Sequence, residues 1–425
     1  MTTKTERRRR EPPEMGGKLS DRLSQMRKLR GERDRGNDRS PDDTRGSSGR
    51  RPHHSVSGAP APGAPESASP ESASELFRGW ERVRPFVLKR STEVPFPRTP
   101  DNAPYRGLLV PPEELERTVF YDFETTGLSG GAGTYIFLAG FGRYSEGKLK
   151  VDQLFLEDYP GEPDYMEAMK ELFSPGEIFV SYNGKRFDRH LLSTRSRMSG
   201  VHVEMGSQMD LLFPVRRIWK EAIGSCRLAN VERFILDRER TDDIDGNLIP
   251  ECYFSYLRGE QVPCMEKVIE HHLADIVSLA HLLFVIEEAA ENPGVLTLPH
   301  AGEGMATLLM HHGREPEGVE LLEREFEAGS HRAGRIAAVY YRRMGMTDDL
   351  ERILEKMWRA EHGYFQGIAL AKLYEHRKKD PASALHITET LLRAKKFLPS
   401  HKRVDLERRR ERLLRKQGKY QLTEP

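Results

Sequence analysis

Cysteine is scarce: Cys226, Cys252 and Cys264 are the three in 425 residues. They form no close metal-type pair, so no zinc site is expected, and so low a count suits a reducing cytoplasm. Net charge is nearly absent as well. Lys plus Arg number 67 against 66 for Asp plus Glu. That balance excludes a globally basic nucleic-acid binder and confines such binding to local patches. No apolar run reaches the roughly 18 residues of a membrane span. The charged N-terminus lacks the apolar core of a secretory signal. A cytoplasmic protein without membrane contact is expected.

The length allows two domains with sizeable cores. Residues 1–74 hold Arg7 to Arg10 and an Ala/Pro/Ser/Gly run from Gly58 to Ala73. With few large apolar residues, they read as a disordered tail. Leu19, Leu23 and Met26 could share one face of a short helix. Residues 75–115 carry Phe77, Trp80, Phe86 and Phe96 among prolines, and read as an extended segment packed on the next domain. Residues 116–292 have an α/β pattern. Three apolar runs, at Thr118 to Tyr121, Tyr135 to Ala139 and Leu149 to Leu156, are joined by glycine-containing turns. They predict an antiparallel meander. The turn Leu128 to Gly133 does not match a P-loop, so hairpin chemistry is the better reading of its glycines. A strand at Glu177 to Tyr182 is followed by a helix opened by Asn183. Residues 299–394 predict three helix pairs with a period of roughly 31–34 residues. Residues 395–425 form a basic tail, read as a frayed charged helix.

The stretch Thr118 to Gly127 carries the chemistry. Side chains alternate along a strand, so Asp122 and Glu124 project from one face and Phe123 from the other. Two carboxylates aimed at one spot repel unless a hard cation sits between them. Asp188 lies about one turn into the helix after Asn183, a residue also suited to cap it. His271 and Asp275 are four apart and share a face of the last long helix; Glu266, Glu270 and His272 around them also permit a solvated face. Asp210 is either a fourth helper or a helix start. Asp242 to Asn247 suggests a calcium loop but lacks its charged ligands at the first and twelfth places. It reads as an acidic surface loop.

The set Asp122-x-Glu124-Thr-Thr-Gly, Asn183-x3-Phe-Asp188 and His271-x3-Asp275 resembles the three exonuclease motifs of the DEDD superfamily. Tyr121 to Leu279 resembles its YprB-like ribonuclease H-like family. Supporting features are the Asp210 to Trp219 and Ile249 to Leu257 stretches. One departure is that His271 has the tyrosine-type spacing of three intervening residues, and Glu270 occupies the usual histidine place. YprB-like sequences share the His-x3-Asp form.

The resemblance implies an α/β ribonuclease H-like fold, a mixed sheet flanked by helices. It implies 3′–5′ exonuclease action on single-stranded DNA or RNA. Asp122, Glu124, Asp188 and Asp275 would hold two Mg²⁺ or Mn²⁺ ions about 4 Å apart. Neutral His271 would take a proton from the attacking water. The backbone at Thr125 and Thr126 would contact the terminal nucleotide, and Leu128 would wedge between bases. Lys185 and Arg186, with Asn183, would hold a phosphate at a helix N-terminus. The helix pairs resemble tetratricopeptide repeats, which implies a groove for a peptide or protein partner. The alternative is a weakly active or inactive nuclease fold that serves the repeats as a scaffold.

Overall fold

A computed structural model describes residues 76–96, 105–127, 133–185, 187–260, 263–394 and 398–421. The expectations for residues 1–74, Leu128 and Arg186 lie outside them.

The sheet grows from the predicted meander. The apolar runs become β3 (Thr118–Thr125), β4 (Ile136–Ser145) and β5 (Lys148–Leu156), paired antiparallel in sequence. Glu146 and Gly147 both take positive φ between β4 and β5. This is the backbone a two-residue hairpin needs to match the strands' twist. The segment read as extended packing chain contains a hairpin: β1 (Glu81–Arg84) pairs with β2 (Val87–Pro95), and β2 pairs with β5 along its full length. On the other side, β6 (Ile178–Ser181) and β7 (Ser207–Asp210) run parallel to β3. The order is β1-β2-β5-β4-β3-β6-β7.

Each face of this sheet is covered by apolar residues, which makes an α/β layer structure. Val119, Tyr121 and Phe123 enter one core with α1 (Glu162–Glu171), α2 (Asp188–Met198) and α5 (Ile249–Leu257). Phe120, Val151 and Val180 enter the other with α3 (Leu212–Ile223), α4 (Leu228–Phe234) and the later part of α6 (Pro263–Glu291). The α2 helix begins at Asp188, five residues later than Asn183. Asn183 sits in the left-handed region at φ 66° and does not cap it. Cys252 and Cys264, whose scarcity suggested a reducing compartment, form a disulfide that joins α5 to α6.

Two absent side chains decide how α6 lies. Gly140 and Gly142 of β4 face it. A Cβ on Gly140 would stand 2.5 Å from His272 Cε1, and one on Gly142 would stand 2.7 Å from Ile276 Cγ2. Such separations are inside van der Waals contact, so the helix seats on bare backbone. His272 is fully buried, contrary to a solvated reading of this face. Its Nε2–H donates to the Asp122 carbonyl at 3.0 Å, and Nδ1 accepts from Gln153 Nε2 at 2.9 Å. Burial pushes its pKa down to about 4, which keeps the ring neutral in that role.

Beyond α6 follow three antiparallel helix pairs: α7 (Ala301–His311) and α8 (Glu315–Glu327); α9 (His331–Met344) and α10 (Thr347–Ala360); α11 (Tyr364–Leu373) and α12 (Pro381–Arg393). The first pair is seated on the sheet domain through Gly304, where a Cβ would lie 2.5 Å from Ile218 Cα of α3. The apolar core runs unbroken from Phe120 through this seat to Leu370. The basic tail is not frayed. It forms α13 (Ser400–Gln421), which buries Leu406 and Leu413. Arg409, Arg412 and Lys416 surround the buried Glu375. Burial alone would raise that carboxylate, but its hydrogen bonds from Arg412 and Lys416 bring it down to about 2. Among the described residues, no helix is long and apolar enough to cross a membrane.

Adding bulk at the seat of α6 tests this packing. Gly140→Val is expected to cost about 1–3 kcal/mol, read as a lower urea midpoint at unchanged slope. An unchanged midpoint would mean that α6 does not depend on the bare backbone.

Candidate metal centre

The parallel strands β3, β6 and β7 end on the same edge, where open α/β sheets place their ligands. Asp122 pairs in register with Gly140, and Glu124 with Leu138. They share a face while Phe123 turns to the opposite core. From the β6 edge comes Asp188, the first residue of α2 and buried. A Cβ at Gly184 would be 2.5 Å from Asp188 Oδ2, so only glycine leaves room for that carboxylate. His271 and Asp275 descend from α6, one turn apart. One ligand atom each from Glu124, His271 and Asp275 lie within 4.8 Å of one another.

The electrostatics fit this crowding. Burial pushes the Asp122 carboxyl up to about 7, helped by the charge of Asp275. Burial also raises Glu124 well above its ordinary value, with Asp122, Asp275 and Asp188 adding to the effect. Asp188 is raised by burial, then by Asp122 and Asp210. Asp275 is raised by burial in spite of an arginine beside it. Hydrogen bonds lower such values, as the Phe123 backbone does in part for Asp122 and Arg240 for Asp275. Among the described residues, none reaches the Glu124 or Asp188 side-chain oxygens. A hard divalent cation suits such a donor set.

Sequence reasoning missed the residue that partly neutralises the cluster. Arg240, in the loop after α4, donates Nη2–H to Asp275 Oδ1 and to Glu232 Oε1. Its Nη1 lies 3.0 Å from His271 Nδ1 and 3.5 Å from Asp243 Oδ2. Glu232 is buried and also accepts from Ser278 Oγ at 2.5 Å. Asp243 is 2.7 Å from His271 Nδ1 through Oδ1. The acidic loop is exposed, as read, apart from the half-buried Ile244, and Asp243 reaches His271 from it. Periodicity gave no signal for this, because Arg240 and Asp243 lie in irregular chain roughly thirty residues from their partners.

Other expected site residues fall into place or out of it. Asp210 ends β7 and accepts from Asn183 N at 2.8 Å and Leu212 N at 3.0 Å. It fixes the turn and the start of α3. Thr126 gives its N–H to the Tyr135 carbonyl at 3.0 Å, and its Oγ1 accepts from Tyr135 N at 2.9 Å. Thr125 Oγ1 donates to the Gly127 carbonyl at 2.9 Å. These bonds close the neck of the loop, and the Thr126 N–H is not open to a nucleotide. Lys185 is exposed at the approach to α2.

Residues 119–286, from β3 to within α6, match the RNase_H superfamily. The uncharacterized protein YprB of Bacillus subtilis (strain 168) is 30% identical over 286 residues, which span 64% of this chain and 68% of that protein. The chain belongs to the ribonuclease H-like family that includes YprB. Nucleases of that superfamily cleave nucleic acid with divalent metals, and the acid and histidine group here fits the class.

The raised carboxyls set a sign for the pH dependence. The folded pKa of Asp122, about 7, lies above the ordinary aspartate value near 3.9. Its stabilising contribution is therefore complete below about pH 4 and lost as pH rises through about 7. In chelator, the melting temperature is expected to fall across that window, and more steeply than in Asp122→Asn. Asp188→Asn is expected to melt several degrees higher than wild type near pH 7.5, about 1–2 kcal/mol of relieved repulsion. Parallel pH profiles, or a lower-melting Asp188→Asn, would contradict the account.

Proposed function

We propose that the protein is a metal-dependent 3′–5′ exonuclease of the DEDD type acting on single-stranded nucleic acid. The single observation that carries the reading is the convergence of Asp122, Glu124, Asp188 and Asp275 from three elements far apart in sequence. Each carboxyl is raised by burial. Asp122, Glu124, Asp188 and Asp275 would hold two Mg²⁺ or Mn²⁺ ions. Bound there, the ions would supply activated water and stabilise the leaving oxygen.

This chain's residues do the remaining work. The β3 backbone fixes the spacing of Asp122 and Glu124. Gly184 leaves the room in which Asp188 turns toward them. Asp210 holds the Asn183 turn, and the exposed Lys185 that follows it would meet a phosphate with its charge. Arg240 keeps Asp275 oriented while the site is being filled.

A second reading is favoured by one observation in the helical region. A cavity of about 260 Å³ between α9, α10 and α11 is lined by Tyr341, Leu354 and Phe365, with Arg342, Lys372 and Arg377 beside them. A scaffold would use such a hollow, in a tetratricopeptide-like array, to hold a peptide partner.

Oligonucleotides labelled at the 3′ end separate the two. An exonuclease releases labelled mononucleotide only when divalent metal is present, and a blocked 3′ end stops it. Asp122→Ala is expected to lower that release by at least roughly 100-fold with the fold retained. Discrete internal cuts would replace the exonuclease assignment with an endonuclease, and no release under any metal would favour the scaffold.

A further inference from the structure

His271 stands where a proton acceptor for the attacking water is expected by resemblance, but its surroundings are those of a metal ligand. Its Nδ1 is 2.7 Å from Asp243 Oδ1. The opposite ring nitrogen, Nε2, is 3.5 Å from Asp275 Oδ2, and one ligand atom each of Glu124, His271 and Asp275 lie within 4.8 Å of one another. Asp275 is divided between two tasks: Oδ1 accepts from Arg240, which leaves Oδ2 on the side of His271. Two donors about 2.1 Å from one ion are roughly 3.0–3.4 Å apart at right-angled or tetrahedral positions. The Nε2–Oδ2 separation is close to that span.

The tautomer follows from the ring's partners. A metal-bound histidine characteristically donates its other N–H to a carboxylate, which fixes the ring and raises the basicity of the bound nitrogen. Asp243 supplies that carboxylate. Arg240 Nη1 also approaches Nδ1, at 3.0 Å, and would call for a lone pair there. The Asp243 contact is shorter and joins the ring to an anion, whereas Nη1 also has Asp243 Oδ2 within 3.5 Å. Nδ1 therefore carries the proton, and the Nε2 lone pair is left on the side of Asp275 Oδ2.

We propose that His271 is a direct metal ligand through Nε2, completing a Glu124–His271–Asp275 site, and that Asp243 is the positioning residue that holds its ring. The assignment rests on the metal-dependent reading above and changes the role of its histidine. It also predicts metal preference. An imidazole nitrogen among carboxylates favours Mn²⁺ and later first-row ions over Mg²⁺, which prefers oxygen.

The test is Mn²⁺ alone, added to the metal-free full-length protein and followed by calorimetry and pulsed electron paramagnetic resonance. Wild type is expected to show nitrogen-14 modulation of the bound Mn²⁺ echo. His271→Gln should lose the modulation and weaken Mn²⁺ binding at that site, with a far smaller change for Mg²⁺. Asp243→Ala should keep the modulation and raise the Mn²⁺ Kd by about 10-fold or more, and Asp243→Asn should recover part of the loss. Circular dichroism confirms that each variant is folded. Bound Mn²⁺ without nitrogen modulation in wild type overturns the ligand assignment and leaves the nuclease reading standing. No Mn²⁺ binding in wild type overturns both. Unchanged Mn²⁺ affinity in Asp243→Ala overturns the positioning role.

Discussion

Carboxylates that repel one another are held together at the carboxyl edge of a sheet, and most of the nearby architecture serves that constraint. Burial makes the charged form of each acid costly, and for Asp122, Glu124 and Asp188 the neighbouring carboxylates add to it, which is why all four are pushed upward. The fold tolerates this because packing elsewhere is firm. The α6 helix lies on the bare backbone of Gly140 and Gly142, and the neutral His272 ties it to the Asp122 carbonyl and to Gln153. Asp275 is thereby brought against β3 without a strand or loop of its own. Arg240 offsets part of the repulsion, but of the four clustered acids it bonds to Asp275 alone, through one oxygen.

Much of this was legible in the chain. Alternation in Thr118 to Thr125 places Asp122 and Glu124 on a common face, and four-residue spacing does the same for His271 and Asp275. These are local periodicities, and local geometry follows from them. The limits were equally physical. The β1–β2 hairpin was not foreseen because its strands, with Arg82, Lys89 and Glu93, are half exposed at a sheet edge and lack an apolar alternation. Asn183 resembled a helix cap, but the Asp210 carboxylate claims its N–H and the chain needs one more turn before α2 begins. Arg240, Glu232 and Asp243 escaped because their importance lies in contacts across the fold. An aspartate in an Asp-Asp-Ile-Asp-Gly loop looks solvated until its partner is known.

The helical half is tied to the sheet domain by the same device that seats α6. Gly304 lets α7 approach the backbone of α3, so one apolar core passes from the strands into the helix pairs. Stacked pairs leave an unsatisfied apolar end unless something covers it. Here α13 covers the last pair, and its cations converge on the buried Glu375. Their positive charge is thus partly spent within the protein, and a basic composition in residues 395–425 does not translate directly into a nucleic-acid surface.

The proposed function requires that Asp122, Glu124, Asp188 and Asp275 jointly bind divalent cations. Anomalous diffraction from crystals grown with Mn²⁺ tests it most directly. The expected result is strong anomalous density enclosed by these four side chains, absent from crystals of Asp122→Ala. Anomalous density located elsewhere, or none among the four carboxylates at saturating Mn²⁺, would contradict it.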